Sequence, residues 1–410
     1  MTDIISEKKN KIELLAPAGS MEKLQTAFHF GADAVYLAGK RYGLRAFADN
    51  FTDEEIAEAC AYAHSLGKKV YVTLNIYARD YDFDDMRDYL KLLESAGVDA
   101  VLVSDVGVFD FVKSHSSLPI HVSTQANSTN SYAVAHWRDA GAERVVLARE
   151  LPLTAIAEIH SRCPDVELEA FVHGAMCISY SGRCLMSNYL TNRDGNRGEC
   201  VQACRWQWEV REVSRDDSMP VMEDERGTYI FNSKDMNMLA HLPKLIDAGV
   251  VSFKIEGRMK SAFYVATVVA AYRRALDAIE NGSFDEQLIC QLNAELNKAS
   301  HREYTTGFYL DEEESRQYYE SSKAVEEYKF VAVIRDIGSK KAQIEQRNKF
   351  VVGETLEILS ADEYSGKTFV VEYALDEHGN AVTVCNKVKQ LLTINCPYPL
   401  QNGDILRKKL

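Results

Sequence analysis

The chain has 410 residues, of which 46% are hydrophobic, and its formal net charge at pH 7 is −14. Because a single hydrophobic core stops growing at about 250–300 residues, this length predicts one large domain and one smaller domain. The negative charge disfavours nucleic-acid binding through a global positive field and leaves only a local basic face for that purpose. No segment reaches the ~20 apolar residues of a membrane span, and the start, MTDIISEKKN, lacks the apolar stretch of a signal peptide. We therefore expect a cytoplasmic protein with no membrane partner.

Eight β-rich segments follow one another, most of them separated by stretches of helical periodicity. They are KIELLAPAG (11–19), AVYLAG (34–39), KKVYVTLN (68–75), VDAVLVSD (98–105), LPIHVSTQ (118–125), AERVVLARE (142–150), ELEAFVHG (167–174) and VVSFKIEG (250–257). Several begin just after a glycine that suits the end of a helix. The strands are near-continuous apolar runs, which is typical of parallel strands buried on both faces. The sequence therefore predicts an α/β fold of the TIM-type (β/α)8 barrel class.

A long segment interrupts this series after the seventh strand. It covers about residues 175–235 and begins where that strand ends. Because TIM barrels keep their active sites at the carboxyl ends of the strands, we expect this insertion to lie over the catalytic mouth. After residue 322 the pattern changes to short alternating strands with turn residues, which predicts a small C-terminal β-barrel domain. The predicted domains are 1–322 and 323–410.

The insertion contains four of the nine cysteines. Six residues separate Cys177 from Cys184, fifteen separate Cys184 from Cys200, and three separate Cys200 from Cys204. Clustered cysteines in a long cytoplasmic chain more often bind metal or carry out redox chemistry than form disulfides, and soft thiolates select zinc or iron–sulfur centres. A helix would place Cys200 and Cys204 on one face. The alternative is that all four are ordinary buried thiols.

The run EAFVHGAMCISYSGRCLMS, at 169–187, matches without departure the signature of the collagenase-like peptidases, family U32. The chain resembles this family from LLAPAGS (14–20) through VSFKIEGRMKS (251–261) to the C-terminal β domain. It is most similar to the shorter branch of the family, the prephenate-dependent tRNA uridine hydroxylases of bacteria. The resemblance implies a 4Fe-4S cluster, prephenate as co-substrate, and conversion of the wobble uridine of certain tRNAs to 5-hydroxyuridine.

The identity of the fourth cluster ligand is the open point of this resemblance. Members of the family vary in that ligand, and some take it from further along the chain. The corresponding region here, FNSKDMNML (231–239), has Asp235 and no cysteine. We therefore expect Cys204 to complete the set begun by Cys177, Cys184 and Cys200, with Asp235 as the alternative.

Polar residues at the predicted strand ends are the candidates for substrate contacts. Arg45, Arg149 and Arg258 suit the two carboxylates of a prephenate-like dianion, because bidentate pairing fixes both charge and orientation. Gln125 is a further candidate at the end of the fifth strand. The alternative for each arginine is a salt bridge to an acidic residue of the barrel.

Three residues are candidates for catalytic proton transfer. Lys254 and Glu256 alternate with apolar residues on the eighth strand, so they could face the lumen together, pair, and shift each other's pKa. A structural ion pair is the alternative. His173 lies four residues before Cys177, and its more ordinary role would be hydrogen bonding beside the cluster. None of the ten histidines lies in a metalloprotease motif.

For the anticodon region of tRNA, the insertion offers the best local surface. It carries Arg183, Arg193, Arg197, Arg205 and Arg211, with Tyr189, Trp206 and Trp208 interleaved. Aromatic faces stack unpaired bases while arginines hold phosphates, although packing around the cluster would also account for the aromatic residues. A second basic surface is expected from residues 340–349 and 407–409, with an ordinary solvated face as the alternative.

Other functions remain open from the sequence. One is hydroxylation of a ribosomal RNA base or of a quinone ring, and another is a true collagenase-like hydrolase, with zinc as its metal. A third is a non-catalytic, cluster-bearing partner of another subunit. A paralogous partner from the same family is compatible with any of these.

Overall fold

The structure is a computed structural model that describes residues 12–43, 50–206, 233–310, 325–338 and 340–410, and the backbone of 223–224 and 227–228. Its strands up to residue 310 are β1 (Glu13–Pro17), β2 (Ala34–Leu37), β3 (Lys69–Leu74), β4 (Ala100–Val103), β5 (Ile120–Val122), β6 (Arg144–Val146), β7 (Glu167–Ala175), β8 (Glu223–Asp224), β9 (Gly227–Thr228), β10 (Asp235–Asn237), β11 (Val250–Ile255) and β12 (Tyr304–Thr305). Strands β1 to β7 are parallel neighbours in chain order, and β11 closes the barrel by pairing with both β7 and β1. The predicted eight-stranded TIM-type barrel is confirmed.

Helices cover the outside of the barrel. They are α1 (Met21–His29), α2 (Asp53–Ser65), α3 (Met86–Ser95), α4 (Val106–His115), α5 (Ser131–Ala140), α6 (Leu153–Arg162), α8 (Leu242–Asp247), α9 (Ala262–Asn281) and α10 (Glu286–Leu296), while α7 (Met186–Thr191) lies in the insertion. Local chemistry sets their ends. Thr52 and Glu55 form a reciprocal capping box at the start of α2, and Gly141 ends α5 with a φ of 105°, which favours glycine. No helix of the described residues has the length and apolar character that crossing a bilayer requires.

The insertion extends the barrel sheet at the end of β7. Strand β10 pairs antiparallel with the last residues of β7, and β12 pairs parallel with β10. Strands β8 and β9 pair with each other. The consequence is that the carboxyl end of β7 is held from two sides, by β11 within the barrel and by β10 outside it.

The C-terminal domain is an antiparallel β half-barrel around its own hydrophobic core. Its strands are β13 (Tyr328–Gly338), β14 (Lys341–Gln346), β15 (Phe350–Val351), β16 (Thr355–Leu359), β17 (Thr368–Val370), β18 (Ala374–Leu375), β19 (Val384–Cys385), β20 (Leu391–Asn395) and β21 (Ile405–Lys409). Seven of them form one sheet in the order β17-β16-β21-β13-β14-β20-β18, and β15 pairs with β19. The predicted small β domain is confirmed. The predicted boundary at 322/323 lies outside the described residues.

Ion pairs join the two domains. Arg407, which has no exposed surface, contacts Glu295 of α10 and bonds to Glu357 of β16 at 2.5 Å. Arg347 contacts Glu22 of α1. The expectation that residues 340–349 and 407–409 form a second basic surface is therefore wrong for these two arginines, because acidic side chains at the domain interface neutralise them.

Candidate active site at the barrel mouth

The carboxyl ends of the strands surround a polar cavity, which we call the inner cavity. Strands and the loops that follow them contribute Tyr36, Thr73, Asn75, Ser123, Gln125, Arg149, Lys254, Glu256 and Arg258 to its walls. The insertion contributes Tyr180, Gly182, Cys177, Cys184 and Cys200. The cysteine-bearing insertion therefore lies over the mouth of the barrel, as the sequence predicts.

A second cavity, which we call the outer cavity, adjoins the inner one. Cys177 and Cys200 line both cavities, together with Arg149 and Glu256, whereas Cys184 lines only the inner cavity and Cys204 only the outer one. The structure thus brings all four predicted cysteines together where the two cavities adjoin; we call this region the cysteine wall.

Burial and neighbouring charged groups both affect the pKa of the Cys204 thiol. Burial raises the pKa of Cys204 to about 11, the neighbouring Arg205 opposes this, and the charges of Cys177, Cys184 and Cys200 add to it. Within the described residues, no group of three or more histidine, cysteine, aspartate or glutamate side chains is arranged as a metal site.

The helix that would place Cys200 and Cys204 on one face does not form. Gln202 adopts a left-handed conformation with a φ of 56°, and only residues 203–205 form a short 3-10 turn. Because a left-handed residue breaks the helical path, the two cysteines are separated by a bend, which sends Cys204 to the outer cavity.

Hydrogen bonds fix the insertion onto the barrel. Arg197 forms a bidentate ion pair with Asp82, with nitrogen to oxygen distances of 2.8 and 2.9 Å. Asn127 of the barrel donates to the Ser181 carbonyl at 2.9 Å, and within the insertion Asn196 donates to the Cys184 carbonyl at 3.2 Å. Arg197 therefore anchors the insertion to the barrel. The sequence had suggested a different role for this residue, contact with RNA.

Gly174 brings β7 and β11 together immediately before the first cysteine. It has a φ of 108°, and a Cβ at this position would lie 2.4 Å from the backbone oxygen of Glu256. We expect Gly174→Ala to lower the free energy of unfolding by roughly 2–4 kcal/mol, because backbone strain adds to a steric clash. Gly67→Ala is the matched control, since Gly67 also has a positive φ of 66° but open space where a Cβ would lie. Urea unfolding measures both variants, and equal losses would contradict the close approach.

Lys254 pairs with a different carboxylate from the one predicted. Its ammonium lies 2.8 Å from Glu169 and 4.3 Å from the centre of the Tyr36 ring. Glu256 instead lies within 3.5 Å of the Tyr36 hydroxyl and lines both cavities. The expectation of a Lys254–Glu256 pair is therefore corrected to Lys254–Glu169, with Tyr36 lying between Lys254 and Glu256.

Glu169 belongs to a buried ionic network inside the barrel that the sequence interpretation missed. Arg144 contacts Glu169 at 3.2 Å and Glu167 at 2.6 Å, and it also bonds to Glu13. The charged residues within the strand segments KIELLAPAG, AERVVLARE and ELEAFVHG were the available signal. A strand buried on both faces places such residues in the barrel interior, where they need partners.

Three of the four candidate substrate-binding residues lie at the inner cavity. Arg149 lines both cavities and donates to the Ala175 carbonyl at 3.1 Å and to the Ser181 hydroxyl at 2.9 Å. Arg258 is buried in the wall of the inner cavity, where its Nη1 lies 3.5 Å from the Thr73 hydroxyl. Gln125 also lines the inner cavity. Arg45 lies outside the described residues.

His173 and Asp235 lie behind the cavities. His173 is buried, its ring contacts the Tyr272 hydroxyl at 3.4 Å, and burial lowers its pKa to about 3, so the ring is neutral at physiological pH. This arrangement favours the structural role for His173. Asp235 is paired with Arg302 at 3.2 Å and lines neither cavity, so its carboxylate is engaged away from the cysteines.

The chain is a two-domain protein of the TIM-barrel class. It combines a closed (β/α)8 barrel, which has a cysteine-bearing insertion at its mouth, with a separate β half-barrel. The chain belongs to peptidase family U32, because the family profile matches residues 19–319 and the profile of the family's C-terminal domain matches residues 326–407. This confirms the resemblance seen in the sequence.

Three relatives illustrate the range of the family. The chain is 38% identical to "tRNA hydroxylation protein P1" of Bacillus subtilis (strain 168), over 97% of this chain and 95% of the relative. It is 37% identical to "tRNA hydroxylation protein P" of Escherichia coli (strain K12), over 91% of each chain. It is also 39% identical to "23S rRNA 5-hydroxycytidine C2501 synthase" of Escherichia coli (strain K12), over 66% of this chain and 40% of that relative.

Proposed function

We propose that this protein is an RNA-hydroxylating enzyme that converts the wobble uridine of tRNA to 5-hydroxyuridine. The observation that supports the proposal is a polar barrel cavity with four cysteines of one insertion in its wall, in a chain that matches relatives named for tRNA hydroxylation over nearly its whole length. The relative named for ribosomal RNA hydroxylation supports the broader RNA class.

Cys177, Cys184, Cys200 and Cys204 would hold a 4Fe-4S cluster. Their fit lies in the donor set, since four soft thiols around one wall suit iron–sulfur ligation. When bound, such a cluster supplies one-electron redox chemistry or ligation of a substrate oxygen.

The inner cavity would bind the co-substrate, a small dianionic acid such as prephenate. Arg149, Arg258 and Lys254 bring three cationic groups to its walls, and Glu256 is the carboxylate among the residues described there. Bidentate pairing with arginine fixes the orientation of a carboxylate, and burial of Arg258 and Lys254 excludes water from around it. These side chains bind and orient the acid beside the cysteine wall.

The insertion would contact the RNA. Tyr189 of α7 is 84% exposed and Tyr180, in the wall of the inner cavity, is 47% exposed. Exposed aromatic rings beside arginines stack unpaired bases of a single-stranded loop. Two of the expected contacts, Trp208 and Arg211, lie outside the described residues.

The function is tested by mass spectrometry of tRNA from a strain that lacks the gene and any paralogue. We expect 5-hydroxyuridine and its derivatives at the wobble position to decrease and to return with a plasmid copy, because the strain lacks the enzyme proposed to introduce the hydroxyl group. The same strain provides ribosomal RNA for measurement of hydroxylated cytidine, and the purified protein is incubated with a collagen peptide. If tRNA is unchanged and rRNA hydroxylation is lost, the protein is instead an rRNA hydroxylase. If tRNA is unchanged and the peptide is cleaved, the protein is instead a collagenase-like hydrolase.

A further inference from the structure

The outer cavity differs from the inner cavity in its walls. It is bounded by the bend at 202–205 and by the segment that follows β11, residues 257–260. The inner cavity extends toward Lys254 and the polar residues at the strand ends. Two of the cysteines, Cys177 and Cys200, face both. The outer cavity is therefore a second approach to the same cysteine wall.

Cationic side chains dominate the outer cavity. Lys260 donates to the Ser300 carbonyl at 3.2 Å and lies 5.0 Å from the centre of the Tyr264 ring, and Arg205 donates to Gln202 at 2.9 Å. In the described part of the chain, neither cation lies within ion-pair distance of a carboxylate. Arg149 adds a third positive charge, and Glu256 is the carboxylate among the described lining residues. The resulting positive potential suits an anion.

Each of these two cations is next in sequence to an exposed apolar side chain. Met259, adjacent to Lys260, is 50% exposed, and Trp206, adjacent to Arg205, is 41% exposed. An ammonium or guanidinium group next to an exposed ring or thioether matches a nucleotide, in which a phosphate is linked through ribose to a flat base. The cations of the inner cavity, Lys254 and Arg258, are instead buried, which suits a small acid that can be enclosed.

We propose that the outer cavity is a nucleotide subsite, in which Lys260 and Arg205 bind an RNA phosphodiester and Trp206 and Met259 contact an adjacent base. The inner cavity then receives the organic acid, so the two reactants reach the wall formed by Cys177 and Cys200 from different sides. This inference rests on the proposed function, because it takes RNA as the substrate.

The test measures the binding of a fluorescently labelled anticodon stem-loop RNA to the full-length, anaerobically purified protein by fluorescence anisotropy. For the double variant Arg205→Gln/Lys260→Gln we expect affinity to fall about tenfold or more, with a salt dependence shallower by about one to two phosphate contacts. Lys367→Gln/Lys387→Gln is the matched control, since it removes the same charge from exposed sites of the C-terminal domain. Its RNA affinity should fall by less than about twofold, as for a long-range effect that salt screens.

Calorimetric titration with prephenate separates the two cavities. The Arg205→Gln/Lys260→Gln variant should retain wild-type affinity for the acid, which also shows that it is folded, whereas Arg258→Gln should lose acid affinity and keep RNA affinity. The outer cavity is not a nucleotide subsite if Arg205→Gln/Lys260→Gln binds RNA as tightly as the control pair does. The same conclusion follows if Arg258→Gln loses as much RNA affinity as Arg205→Gln/Lys260→Gln. Failure of the proposed function would look different, because the wild-type protein itself would not bind the stem-loop RNA.

Discussion

Replacing Cys177 by serine is expected to remove nearly all iron and acid-labile sulfide from the anaerobically purified protein, together with its brown colour. Cys177 lines both cavities and lies with Cys200 in the wall between them. A serine hydroxyl is a hard, weakly acidic donor, so it replaces a soft thiolate poorly in an iron–sulfur site. Iron and sulfide are measured per chain by colorimetric assay, and the cluster is observed by visible absorption and electron paramagnetic resonance.

Cys290→Ser is the matched control for this experiment. Cys290 is also an exposed cysteine, but it lies on α10, away from the insertion. The control should keep the iron content of the wild type, because only thiols around the cavity wall would be ligands. If Cys177→Ser retains as much iron and sulfide as Cys290→Ser, the assignment of the cluster to the insertion is wrong.

Replacing Arg144 by methionine is expected to give the largest loss of stability among single substitutions in the barrel. Arg144 is buried and contacts Glu13, Glu167 and Glu169, so its removal leaves carboxylates inside the barrel without their principal cation. Breaking a buried ion pair in this way costs about 3–5 kcal/mol. Urea unfolding followed by circular dichroism measures the loss.

Arg138→Met provides the comparison for Arg144→Met. Arg138 is also an arginine with two carboxylate contacts, Asp139 and Asp165, but both contacts are exposed. Exposed pairs contribute about 0–1 kcal/mol, so this variant should unfold nearly as the wild type does. The added change Glu13→Gln should restore part of the stability of Arg144→Met, since it removes one of the uncompensated charges. Equal stability of the two methionine variants would show that the interior network contributes little.

Much of the barrel was predictable because its strands are continuous apolar segments and its helices have recognisable ends. Each of the eight predicted segments contains a strand of the barrel, and the insertion begins at the end of β7 as expected. These features are local in sequence. The position of the cysteines at the mouth followed from one further rule, that loops after barrel strands lie at the catalytic face.

The partner of Lys254 was not predictable because it depends on strand register. Glu256 lies two residues further along the chain, just after β11, and alternation alone made it the natural candidate. In the pairing of β7 with β11, Lys254 lies beside Phe171 and Ser252 lies beside Glu169, so Glu169 is the diagonal neighbour of Lys254. That relation joins segments more than eighty residues apart, and periodicity within either segment contains no information about it.

Two other features could not be predicted for similar reasons. The bend between Cys200 and Cys204 depends on a left-handed Gln202, a residue type that seldom adopts this conformation. Arg407 belongs to a basic tail in sequence, but the tail forms an inner strand of its sheet, where Arg407 meets an acidic residue of α10. Contacts between domains are set by tertiary packing, so a charge run alone could not place this side chain.

The closure of the barrel by β11 has a consequence for biosynthesis. Strand β1 leaves the ribosome before the other strands of the barrel, yet its second neighbour, β11, ends only at Ile255. During translation the edges of β1 and β7 therefore stay without this partner until after the cysteine segment has emerged. The slow step in maturation should thus be the joining of the two ends of the sheet, and a nascent chain stalled before residue 250 should be captured by chaperones.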